Sequence, residues 1–123
     1  MAVSWQFVGR VLVVRESDVN SNAEIEQAFV GDALLDPRCG TGARVLWDSR
    51  ASLAALSAED MHWRMSTLRS LAEQGRLTKF ALLTREDQRS TTELARSEVP
   101  KAVRPLEFSV FEDEAQALSW LEA

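Results

Sequence analysis

The sequence predicts an α/β protein: a layered fold with a four- to five-stranded, mostly parallel sheet, an opening hairpin and about four flanking helices. Three observations carry this. Strand-like and helix-like segments alternate once the first two strands have passed, the pattern of strands joined by helical crossovers. Phe80-Ala81-Leu82-Leu83-Thr84 is a nearly unbroken apolar run, as required of a strand covered on both faces. The closing stretch Phe111 to Leu121 reads as a strand end, an acidic turn and a short helix, whose Leu118, Trp120 and Leu121 must dock on the body to leave water.

In chain order, Trp5-Gln6-Phe7-Val8 and Val11-Leu12-Val13-Val14 are β-formers around Gly9-Arg10, a tight hairpin. Arg15 to Asn20 reads as polar connector. Ser21 with Glu24 three residues on is a capping box that opens a helix with Ile25, Ala28 and Phe29 as its buried stripe. That helix stops by Asp36-Pro37, because the residue before proline is pushed out of helical geometry. Ala43 to Asp48 is the third strand. Ser57 with Asp60 opens the longest helix, which runs to about Gln74, with Gly75 at its C-terminal position and Met61, Met65, Leu68 and Ala72 along one face. Phe80 to Thr84 is the fourth strand. Asp87 to Ser97 is a polar helix ended by Val99-Pro100, Leu106 to Phe111 the last strand and Asp113 to Leu121 the last helix.

Length and composition narrow the function classes. At 123 residues the expectation is one domain spanning 1–123, and 46% hydrophobic residues suffice for a core without disulfides or metal. No apolar run approaches a membrane span and no secretory leader is visible, so the expected location is cytoplasmic, without membrane insertion. The net charge of −5, with no basic cluster, argues against nucleic acid. Cys39 is the single cysteine and sits in what reads as an exposed loop beside Arg38, the one neighbour able to favour a thiolate. His62 is the single histidine and has no second ligand nearby, so neither a metal site nor a cofactor is expected. No nucleophile-elbow or phosphate-loop motif is present, and no catalytic residue is assigned.

Ligands on open parallel sheets sit beyond the carboxyl ends of the strands. This places Asp48, Ser49 and Arg50 after the third strand, Thr84 and Arg85 after the fourth, and Glu112-Asp113 after the fifth on one rim. Asp48 either serves a ligand there or accepts backbone hydrogen bonds in the turn. Arg50 and Arg85 either bind an anion or pair with Asp48 and Glu86. Trp63, two residues beyond Met61, points away from the predicted buried stripe, which makes it a candidate interface residue, or one covered by a loop.

The Val45-Leu46-Trp47-Asp48 strand, the element order and the ending Val110-Phe111-x-Asp113-x-Ala115-x-Ala117-Leu118-x-Trp120-Leu121 resemble the divergent bacterial SpoIIAA-like proteins of the STAS superfamily. The resemblance covers nearly the whole chain and rests mostly on structural residues. It implies a non-enzymatic binding or regulatory domain acting through protein contact, with a protein partner or a homodimer. The alternative is a carrier or sensor of a small apolar or anionic ligand at the rim. STAS regulators are phosphorylated on a serine at the start of the second helix. Ser57 matches that general position, but Leu56-Ser57-Ala58-Glu59 lacks the Asp-Ser-Ser-Gly motif, and Glu59 and Asp60 would repel the added charge. As helix N-cap, Ser57 has an ordinary structural role.

Overall fold

The alternating sequence folds into a five-stranded sheet in the order β1-β2-β3-β4-β5. The computed structural model describes residues 3–18, 20–40, 42–52 and 58–123. Its strands are β1 (Val3–Val8), β2 (Val11–Asp18), β3 (Ala43–Ser52), β4 (Leu77–Leu83) and β5 (Glu107–Phe111). The helices are α1 (Asn22–Ile25), α2 (Ala58–Glu73), α3 (Arg89–Ala102) and α4 (Glu114–Glu122). β1 and β2 form the antiparallel hairpin, with Gly9 at φ 61° in its turn. The pairs β2–β3, β3–β4 and β4–β5 are parallel.

Because strand order equals chain order, right-handed crossovers all fall on one face of the sheet. The main core is accordingly built from Leu12, Val14, Val45, Trp47 and Phe80 against the α1 segment, α2 and α3. Phe29 meets Trp47 edge-on at 5.2 Å, and Trp47, Phe80 and Phe108 stack in a row across β3, β4 and β5. Among the described elements only α4, which follows the last strand, covers the opposite face. There Ala117 and Leu121 are fully buried on Val11, Val13, Leu46, Ala81 and Leu83. Asp113 caps α4 by accepting hydrogen bonds from the Ala115 and Gln116 amides. Arg44 and Lys79 donate to the Leu121 and Trp120 carbonyls at its other end (2.7 and 3.1 Å), where cations complement the helix dipole.

Four expectations need correction. Arg15 to Asp18 is not connector: β2 continues through it, pairing Ser17 with Ala51 and Asp18 with Ser52 across a register shift. β3 likewise runs to Ser52, so Asp48 lies within a strand rather than at its end, level with Leu83, where β4 stops. The first helix keeps its Ser21–Glu24 capping box but widens at once into a π-helical turn over Glu26–Val30, closed by the Gly31 amide on the Glu26 carbonyl. Ile25, Ala28 and Phe29 still face the core as the stripe predicts, and 3₁₀ turns over Ala33–Leu35 and Pro37–Cys39 complete the segment. Pro100 does not end α3. Val99 and Val103 are buried one turn apart, and that burial carries the helix past the missing amide, with the Val103 amide bonding the Val99 carbonyl.

Among the described residues no helix is long and apolar enough to cross a membrane.

Candidate functional site

The rim beyond the carboxyl ends of the strands carries two polar clusters, one on each face of the sheet. Arg15 and Asp48 are register partners on β2 and β3, and Arg50 follows two residues later on the same face. α4 starts on that face and brings Glu114 in its first turn. The Asp48 side chain, only 9% exposed, accepts from the Arg50 amide (3.1 Å), Arg50 Nε (3.0 Å) and Arg50 Nη2 (2.9 Å), and pairs with Arg15 Nη1. Glu114 Oε1 accepts from the same two arginines at 2.9 and 3.3 Å. Two guanidiniums and two carboxylates thus form one neutral network.

Burial alone would raise the Asp48 carboxyl, but hydrogen bonds from Arg50 and then Arg15 outweigh it and hold the carboxyl below its ordinary value. Arg15 is held above its usual value, chiefly by Glu114, and Arg50 chiefly by Asp48. Both arginines stay charged throughout. Asp48 is an ionised anchor and has little capacity to take up a proton near neutrality.

The other predicted rim residues are also engaged. Ser49 Oγ donates to the Leu83 carbonyl at 2.9 Å. Thr84 is buried and its amide bonds the Phe111 carbonyl, which ties the ends of β4 and β5 together. Arg85 reaches the Arg50 carbonyl and pairs with Asp87. The structure therefore brings Asp48, Ser49, Arg50, Thr84 and Arg85 to one rim. Ser57 lies outside the described residues.

On the opposite face sits a cluster that the sequence reading passed over. Glu16, only 2% exposed, accepts from the Trp47 indole at 3.1 Å and pairs with both terminal nitrogens of Arg64 at 3.3 Å. Asn20 donates to Glu16 and to the Ser17 carbonyl. Asn20 Oδ1 and Arg64 Nε are buried without a partner among the described residues. Arg64 belongs to α2, so this ion pair pins that helix to the sheet. Along α2, Leu71 and Ala72 are buried, Met61 is only half-buried, and Trp63 packs half-buried against the main core instead of pointing away from it.

Cys39 is half-buried, not exposed, with Sγ donating to the Ala33 carbonyl. Burial, then Asp36, pushes its thiol up, against the smaller pull of Arg38 and Arg76. Arg38 is bound to Asp36 instead, whose carboxyl it lowers to about 2. Among the described residues no three histidine, cysteine or acidic side chains gather as a metal set.

No protein-family model and no curated protein matches the chain. Among solved structures, it matches an uncharacterised DUF3478-family protein with a SpoIIAA-like fold from Shewanella loihica PV-4. The TM-score is 0.62 at 23% identity, over 98% of this chain and 92% of that one. The fold is SpoIIAA-like: a five-stranded, mostly parallel sheet with four helices.

Proposed function

We propose that the chain is a non-enzymatic binding or regulatory domain that acts through contact with a protein, a second copy or an unlike partner, at the carboxyl-end rim of the sheet. The observation that carries this reading is the closure of Asp48. A general base must be free to accept a proton, and Asp48 is saturated by two guanidiniums that hold it ionised. A small-ligand site at the same rim finds less support, since Ser49, Arg50 and Arg85 already bond to main chain and carboxylates of the rim.

What remains outward is a surface of mixed charge. Arg15 and Arg50 keep about two-fifths of their side chains accessible, and Asp87, Glu112 and Asp113 are exposed beside them. Such surfaces steer encounter and set the orientation of a partner. α2 starts from the same end of the sheet, and the part of Trp63 that its packing on the core leaves accessible would extend the contact. The resemblance of the closing segment to STAS regulators, which work by binding proteins, agrees with this reading as a fold-level analogy.

Glu112→Lys is the test, because Glu112 is exposed and its replacement leaves the core untouched. Affinity capture from extracts of the source cells, with sedimentation for self-association, should give a partner or dimer that this change weakens by about tenfold, about 1.4 kcal/mol. A protein that neither self-associates nor retains a partner, or one that turns over a substrate lost in Asp48→Ala, would sink the proposal.

A further inference from the structure

At the other end of the sheet, a cavity of about 340 Å³ opens between the Gly9-Arg10 turn, the Pro37–Cys39 turn and the start of β3. Phe7, Leu12 and Ala43 form its apolar wall; Arg10, Arg38 and Cys39 stand around them. Two features of this cavity point the same way. Arg10 makes no ion pair among the described residues, although the chain as a whole is acidic. Arg38 is fixed, because Asp36 takes its Nε and Nη2 at 3.0 and 2.8 Å and the guanidinium lies 4.2 Å over the Phe7 ring, which leaves Nη1 without a partner among the described residues. Arg44 also lines the cavity, but its guanidinium is committed to the end of α4.

We infer that this cavity is a binding site for a small molecule bearing an oxyanion, a carboxylate or a phosphate monoester, held between Arg10 and Arg38 with its apolar part against Phe7 and Leu12. A guanidinium presents paired donors that match both groups. The volume is at the lower end of small-ligand sites, so the ligand is of metabolite size. The Cys39 thiol in the wall stays protonated, because burial raises it, and adds no negative charge against the ligand. Two carboxylates stand near the guanidinium pair: Asp36, which Arg38 neutralises, and Glu122, whose Oε1 lies against Gly9 in the hairpin turn without an ion pair to Arg10 among the described residues. The site lies at the end of the sheet remote from the rim, and stands or falls independently of the contact proposed there.

Cys39 provides the readout, as the chain's single cysteine and part of the cavity wall. Its alkylation by uncharged iodoacetamide is followed with inorganic phosphate, with acetate, and with chloride at matched ionic strength. Phosphate, acetate or both should slow the alkylation where chloride does not, and the more effective anion names the headgroup. Arg10→Ala should weaken that protection about tenfold with the melting temperature unchanged, since Arg10 is exposed. Amide shifts in NMR titration of the wild type should centre on Gly42 to Arg44. Equal protection by chloride, no protection by either oxyanion, or protection undiminished in Arg10→Ala would each overturn the assignment.

Discussion

Asp48→Ala probes the rim network at its centre. The carboxylate is buried and receives three hydrogen bonds from Arg50 and one from Arg15. Removing one member of a fully buried pair costs about 3–5 kcal/mol, whereas an exposed pair contributes under about 1. This site lies between those limits. The arginine side chains are 38% and 39% exposed, so water can take over some of their donors, and Glu114 still binds both. A loss of about 2 kcal/mol follows, after allowance for solvent screening. With unfolding entropy near 2.1 cal/mol/K per residue over 123 residues, the melting temperature should fall by about 8 °C, with the fold retained.

The pH dependence has a fixed sign. The folded carboxyl is lowered relative to the unfolded chain, so its contribution is complete above the unfolded value of about 3.9 and disappears as pH falls through the lower folded value. Differential scanning calorimetry should therefore show a gap between wild type and Asp48→Ala that is constant from neutrality to about pH 5 and closes in stronger acid. Equal melting temperatures at neutral pH, or a gap that persists undiminished near pH 2, would refute the assignment of Asp48 as an ionised anchor.

Other variants test the remaining contacts. Glu16→Ala leaves Arg64 and the Trp47 indole without their buried acceptor and should cost about 3–5 kcal/mol in urea unfolding, with a shifted tryptophan emission. Leu121→Ala opens a cavity beneath α4 and should cost about 2–5 kcal/mol, read by thermal unfolding and by the emission of Trp120, which packs on Phe111. Asp36 should titrate at about 2 by NMR and return towards about 3.9 in Arg38→Ala, since the Arg38 side chain is the main cause of its shift.

What was legible in the sequence was local. The Ser21–Glu24 cap, the Gly9 and Gly75 turns and the apolar strands announce themselves within a few residues, and all are present. The mostly parallel sheet with its opening hairpin followed from the alternation, whereas the strand order was not read from it. The parts not legible depend on distant partners. Arg15 meets Glu114 across 99 positions and Glu16 meets Arg64 across 48, so charges that read as connector are strand residues with long-range partners. One signal was available: Arg15 and Glu16 directly continue an unusually apolar strand, where the ladder has every reason to extend. Trp63 was misplaced because the helical face was centred on Met61, while Trp63, Met65 and Leu68 pack on the core and Arg64 between them reaches the buried Glu16. Pro100 was read by its intrinsic preference, which the burial of Val99 and Val103 overrides.

Photo-crosslinking in the source cells addresses the proposed contact most directly. A photoreactive residue is placed at Glu112 on the rim, and in a control at Glu73, exposed at the C-terminal end of α2. A discrete adduct with the mass of a protein is expected from position 112 and none from position 73. Adducts from both positions alike, or none from position 112, would contradict that contact.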